Sequence, residues 1–407
     1  MTDGWETKTI GDVCQIRGGG TPSKAVDRYW QGDIPWVSPK DMKSDVVSDS
    51  MDHISRDAIE DSAASLIPTD SVLIVVRSGI LARTVPIAIT GRDVTVNQDL
   101  KALCPNGAID SRFLYHLLDS KMGILLSLVS RGATVHRLMT EQVRSLQISL
   151  PPLPEQRRIV GILDEAFEGI DTAKVNAEKN LHNARAIFES HLQSVFARRG
   201  GGWVEKNLGD VCEFRRGLTY SKGDEVDYSH NVVLRATNID RASHRLDFAE
   251  LRYINDDVIV PQRMKVEKGS LLICTASGSK SHLGKIAFID DDYGYAFGGF
   301  MGMLTPNSDL VPRYLFHVMT SRAYEDFIGA LADGMNINNL KFDDLKQFHV
   351  LYPPIHEQQR IAAQLDALIE GTQRLESVCQ RKLAAFDEMK KSLLDQAFTG
   401  QLTKSAA

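Results

Sequence analysis

The chain has 407 residues, 43% hydrophobic and 25% charged, and a net charge of −6 at pH 7. At roughly 100–200 residues per domain, that length predicts two to four domains of an ordinary globular protein. No apolar run reaches the ~20 residues needed to cross a bilayer, and the acidic balance gives no whole-chain signature of a simple nucleic-acid binder.

In chain order, the opening Met1–Val13 has no basic segment followed by an apolar core, so it is not read as a secretory signal and a cytoplasmic location is expected. Next, "SVLIVV" from Ser71 is β-branched-rich and bounded by turn residues, which predicts a strand, and a helix is predicted around Phe113–Leu118. From Pro151, "PPLPEQRRIVGILD" opens a long helix. Proline is tolerated in a first helical turn, and Glu155 there suits the positive end of the helix dipole. Ile159, Leu163, Ala166, Ile170, Ala173, Ala177, Ala184 and Ile187 follow at steps near 3.5 residues, a coiled-coil seam, and "ARRGGG" ends the run. About 44 residues at 1.5 Å each span roughly 65 Å.

The chain then repeats itself. Trp5–Thr21 meets Trp203–Thr219 at an offset of 198 residues, and Ser71–Gly79 meets Ser270–Gly278 at 199. "SRFLYHLLDS" meets "PRYLFHVMTS" at 201, and "PPLPEQRRI" meets "PPIHEQQRI" at 202. The slow drift in one direction is what small loop insertions produce, so this is a tandem duplication. The second helix carries its seam at Ile361, Leu365, Leu368, Thr372, Leu375, Cys379, Phe386 and Met389. Neither helix can bury a seam alone, so the two are expected to pair antiparallel as a spine.

Autonomous catalysis finds no support in the motifs. No GxGxxG follows a strand, and HExxH and GxSxG are absent. "GSKSHLGK" (Gly278–Lys285) has five residues between its glycines where a P-loop has four, and Ile286 where Ser or Thr belongs. There is no Asn-Pro-Pro-aromatic motif of the kind that holds a flipped base in amino-methyltransferases. The histidines lack metal-ligand spacing; His116 and His317, at equivalent helix positions, are read as packing or surface polar groups. The five cysteines form no CxxC pair, which argues against a zinc ribbon or a disulfide framework and predicts buried, inert thiols.

Two variable regions, each closed by "PP-x-x-EQ-x-x-I-x-x-x-LD" and a long helix, resemble the specificity subunit of a type I restriction–modification system. "W…IGDVCQIRGGGTPS", "IPWVSPKDM" and "AFTGQLT" (Ala397–Thr403) fit the same family, and the resemblance covers essentially the whole chain. It implies an α+β fold, a tandem pair of mixed α/β target recognition domains, each followed by a long helix, with the helices pairing as an antiparallel coiled coil. Residues 1–150 and 203–351 would be the recognition domains, and 151–202 and 352–407 the helical spacers. Each domain would read one half of a bipartite, asymmetric double-stranded DNA target, and the helices would set the gap and dock modification subunits. Two modification (methyltransferase) subunits would bring S-adenosylmethionine, and restriction subunits ATP and Mg; this chain would hold no cofactor and no metal and perform no chemistry. A common face on duplex DNA would place the readers about one helical turn apart, roughly 34 Å, or a related interval. A non-catalytic protein-binding scaffold is the alternative, and a self-contained methyltransferase a third reading.

Phosphate contacts call for Lys, Arg and hydroxyls, and base reading for Arg, Lys, Asn, Gln, Ser or Thr at groove edges. Three glycine-accompanied loop clusters recur in both halves. The first is Thr21, Ser23 and Lys24, with Thr219, Tyr220, Ser221 and Lys222. The second is Arg77, Ser78 and Arg83, answered by Ser277, Ser279, Lys280 and His282. The third is Arg131, Thr134, His136 and Arg137, answered by Asn336, Asn338 and Asn339. Solvated turns would use the same residue types. At the helix starts, Glu155, Gln156 and Arg158, with Glu357, Gln358 and Arg360, have two readings: helix capping, or docking of a modification subunit.

Overall fold

Each globular region is closed by a two-stranded antiparallel ribbon joining its first residues to its last. Glu6–Thr9 pairs with Gln147–Leu150, and Val204–Asn207 with His349–Tyr352. The ribbons deliver the chain to Pro151 and Pro353, where the long helices begin. The computed structural model describes residues 4–197, 201–241, 243–279, 282–334 and 339–402. It forms two compact units, Met1–Glu178 with Gln380–Ala407, and Lys179–Cys379.

In the first unit, the main sheet runs in the order Cys14–Gly18, Leu100–Pro105, Val72–Val75, Ile87–Thr90, Val46–Val47. The second unit repeats it without the last strand: Cys212–Arg216, Met301–Pro306, Leu271–Cys274, Ile286–Phe288. Val72–Val75 and Leu271–Cys274 are continuously apolar because both faces of these strands are buried. A smaller sheet stands beside each, built around Ile34–Val37 with Val94–Val96, and around Asn231–Leu234 with Ala296–Phe297. All five cysteines are free and buried, and burial pushes the Cys14 and Cys212 thiols up to about 12.

The long helices are Leu153–Ala197, with 45 residues, and Ile355–Phe398, with 44. In the first unit Lys390 pairs with Asp171 at 2.6 Å and Lys174 pairs with Asp387, so one helix number falls as the other rises: the pairing is antiparallel. Leu394 and Ala397 from the second helix close the core around Phe113 and Leu163, and Phe398 meets Phe113 edge-on at 5.2 Å. In the second unit the equivalent Leu192 joins Ile361, Leu365 and Tyr314.

The seam departs from its expected course. Leu163, Ile170, Ala177 and Ala184 are buried at seven-residue intervals, but Ile187 is 61% exposed and Phe188 and Leu192 turn inward instead. A straight helix of 3.6 residues per turn drifts against a 3.5-residue repeat, and here the stripe slips by one position. Leu375 and Met389 on the second helix are likewise exposed. Among the described residues no helix is long and apolar enough to cross a membrane.

Candidate nucleic-acid interface

Two polar clasps, each present twice, fix the globular regions on their helices. Gln156 is fully buried: its Oε1 accepts from the Asp110 N–H at 2.8 Å, and its Nε2 donates to the Ala108 and Pro151 carbonyls at 3.1 and 2.8 Å. Gln358 repeats this with the Val311 N–H and the Asp309 and Pro353 carbonyls, at 2.8, 2.8 and 2.9 Å. About two turns along, Asp164 takes Arg112 at 2.9 Å and His116 Nε2 at 3.0 Å; Asp366 takes Arg313 at 3.1 Å and His317 Nε2 at 2.9 Å.

Burial alone would raise the Asp366 carboxyl, but the His317 and Arg313 hydrogen bonds and charges outweigh it and hold it at about 2. Burial pushes His116 and His317 below the ordinary imidazole value. The geometry agrees: their Nδ1 atoms are shielded without a partner among the described residues, so a second ring proton would be an unsatisfied buried donor.

Glu155 and Arg158 pair at 3.8 Å, and Glu357 and Arg360 at 2.8 Å, all partly exposed. Gln156 and Gln358 serve the fold internally, whereas their charged neighbours face solvent. His116, His317 and their aspartates are a joint between domain and helix that sequence reading left unassembled. Its signal was present, as Arg and His recur four residues apart on one helical face in both copies.

In the first unit the loop clusters meet around the turn Asn97–Asp99. Thr21 Oγ1 donates to Gln98 Oε1 at 2.7 Å, and Arg77 approaches Asp99 at 3.8 Å. Strand His136–Arg137 pairs with Arg77–Ser78, Arg137 opposite Arg77 and His136 opposite Ser78. The second and third clusters are thus one ribbon. Arg77, Arg137, Arg131, Thr134, Arg83, Ser23 and Lys24 are all exposed. Ser78 caps the short turn after it, accepting from the Ile80 N–H at 3.4 Å, and Ser23 accepts from the Ala25 N–H at 3.4 Å.

In the second unit Thr219, Tyr220, Lys222 and Ser277 line one cleft of about 590 Å³, together with Arg235, Thr237 and Phe300. Ser221 belongs to a local turn, its N–H donating to Asp224 at 2.7 Å, and the Ser279 N–H donates to Ser277 Oγ at 3.2 Å. His282 keeps its Nδ1 shielded and without a partner among the described residues. Asn339 is exposed and bridges Ala276, as Arg137 bridges Arg77. Lys280, Asn336 and Asn338 lie outside the described residues. Gln98, Asp99, Arg235 and Phe300 escaped sequence reading because they sit in turns without cluster or charge pattern. No group of three His, Cys, Asp or Glu is placed to hold a metal ion among the described residues.

The family model of the type I restriction modification DNA specificity domain matches residues 2–181 and again 200–383. The EcoR124I/EcoR124II specificity subunit of Escherichia coli is 41% identical over 162 residues, 39% of this chain and 40% of that subunit. The MjaIX specificity subunit of Methanocaldococcus jannaschii is 21% identical over 421 residues, spanning 98% of this chain and 93% of that one. Among solved structures, a chain of a type I R-M system superposes with a TM-score of 0.77 at 18% identity, covering 99% of both chains. The HsdS subunit from Thermoanaerobacter tengcongensis gives 0.63 at 18% identity, covering 99% of this chain and 98% of that one. At such identity the structural likeness speaks to the fold.

Proposed function

The chain belongs to the type I restriction–modification DNA specificity family, and on that premise we propose that each of its globular regions reads a different half of a bipartite, asymmetric DNA target. One observation carries this reading: the loops of the two units stand on the same backbone frame but present different side chains. Where the first unit offers Arg77 opposite Arg137, the second offers Ala276 opposite Asn339. A palindrome would be served by two equal readers; unequal readers on one frame suit two unequal half-sites.

The long helices set the unread gap and dock two modification subunits, which carry S-adenosylmethionine and methylate adenine. Restriction subunits join with ATP and Mg, in the cytoplasm. Gln156 and Gln358 hold the helix starts, leaving Glu155, Arg158, Glu357 and Arg360 available at the docking surface. This chain contributes binding and geometry. Within the three loop clusters, exposed Arg77, Arg83, Arg131, Arg137, Lys24 and Lys222 suit phosphate or base edges, and the hydroxyls of Thr21, Thr134 and Thr219 suit either.

The test is retention of duplex DNA by the chain assembled with its modification subunits. Specific duplex should be held roughly a thousand-fold or more tighter than scrambled duplex, with loss of preference when either half alone is scrambled. Equal retention of scrambled DNA would leave the scaffold reading in its place.

A further inference from the structure

The turn before the second strand of each main sheet, Leu100–Pro105 and Met301–Pro306, is clamped identically in the two units. The Asn97 N–H donates to the Val37 carbonyl at 3.0 Å, and the Gly298 N–H to the Leu234 carbonyl at 2.9 Å. The Asp99 carbonyl accepts from Val76 and Arg77 at 2.8 and 3.2 Å; the Phe300 carbonyl accepts from Thr275 and Ala276 at 2.9 and 3.0 Å. The loop after the neighbouring small-sheet strand also repeats. Ser38 N–H donates to Asp41 at 2.8 Å, and Arg235 N–H to Asn238 at 2.9 Å. Position 99 is therefore equivalent to 300, 77 to 276, and 38 to 235.

On this common frame the chemistry is exchanged in a coordinated way. The first unit has an acid and a base, Asp99 and Arg77, paired at 3.8 Å. The second unit has replaced both members, with Phe300 and Ala276. The pair has been exchanged whole, leaving no orphaned charge. Phe300 is 74% exposed although its backbone is fixed by two hydrogen bonds, so the ring is presented to solvent from a rigid support. Such an exposed apolar ring forgoes the gain of burial, which a covering partner would recover. The turn also carries Gly298 and Gly299; a Cβ at 299 would stand 3.1 Å from Thr219 Oγ1, so the bare backbone keeps the cleft open. Arg235 lines the same cleft, and its Nε is shielded without a hydrogen-bond partner among the described residues.

We propose that Phe300 and Arg235 are the specificity-determining pair of the second unit. The Phe300 ring packs on the C5-methyl of a thymine in the major groove, and the Arg235 guanidinium donates to the O6 and N7 acceptors of a nearby guanine. This rests on the reading that the unit binds one half of a DNA target, and it adds which residues discriminate and which bases they meet. Arg77, backed by Asp99, occupies the equivalent frame in the first unit.

The experiment uses the full chain assembled with its modification subunits and maps methylated DNA for wild type, Phe300→Ala and Arg235→Gln, alongside binding at several salt concentrations. Phe300 is exposed, so its truncation leaves the fold intact. Phe300→Ala should relax one thymine position of one half-site, and Arg235→Gln a guanine position of the same half-site, each by roughly five- to hundred-fold, with the other half-site unchanged. Ala276→Arg with Phe300→Asp should instead replace the preference at the thymine position and leave the guanine position, read by Arg235, as it is. Unchanged stringency in both single variants overturns the assignment while the DNA-reading function stands. So does a uniform loss of affinity with a shallower salt slope for Arg235→Gln, which marks a phosphate contact. A wild-type complex with no sequence preference removes the underlying reading, and the assignment with it.

Discussion

The joints between domains and helices are the same in both copies, while the loop faces are not. At the joints, Gln156 and Gln358 make the same three contacts, and Asp164 and Asp366 each receive an arginine and a histidine. At the loop faces the backbone bonds recur, but the position of Arg77 is taken by Ala276, that of Asp99 by Phe300 and that of Ser38 by Arg235. Duplication preserves side chains where both copies meet the same partner, a helix of their own kind. It preserves only backbone at the loop faces, where the two proposed half-sites differ. The comparison separates what holds the molecule together from what distinguishes one half from the other.

The most disruptive way to break this symmetry is to hollow one core. Leu394→Ala and Leu192→Ala remove equivalent leucines, 6% and 5% exposed, and should each cost about 2–4 kcal/mol. Hydrogen exchange should localise the loss from Leu394→Ala to the first unit and from Leu192→Ala to the second; loss in the wrong unit would contradict the division of the helices between two cores. Next, Asp164→Asn and Asp366→Asn should each destabilise by about 2 kcal/mol, held below the cost of a fully buried pair by partial exposure. Denaturant unfolding should give the two similar values, because the joints are equivalent.

The same joints predict a pH dependence. His116 and His317 have folded values below their ordinary ones, so the unfolded chain takes up protons first as pH falls below about 6.5, and stability declines there. Asp366, held at about 2, adds stability present above the ordinary carboxylate value and lost as pH falls from about 4 toward 2. Replacing both histidines with glutamine should flatten the slope between pH 7 and 5 measured by thermal unfolding. A slope unchanged in the double variant would sink this account of the joint.

Smaller effects sharpen the loop side. Arg77→Ala and Lys280→Ala should weaken specific DNA binding by the assembled complex roughly ten-fold, the scale of a single contact, and leave assembly intact. Unchanged affinity and methylation in both would remove the second cluster from the interface. Glu357→Ala breaks an exposed ion pair with Arg360, which solvent screens, and should leave the unfolding transition where it is; any loss of modification-subunit binding would therefore report docking at the helix start.

Much of this was legible in the chain. The repeat, the proline-led helix starts and the buried strands follow from local pattern, because hydrophobic period and proline chemistry act over a few residues. The seam was legible until Ala184, beyond which accumulated helical drift turned Ile187 outward. The joints were half legible, since Arg112 and His116 recur on one face but their carboxylate partner, Asp164, lies on a different helix. The loop face was least legible. Thr21 meets Gln98 across 77 residues, and only the folded sheet brings such turns together.

Mapping methylated adenines in DNA modified by the full complex tests the central claim most directly. Two unequal readers predict a split motif with different halves, in which Arg77→Ala relaxes one half and leaves the other intact. A single undivided palindromic motif, or relaxation of both halves by that one substitution, would contradict it.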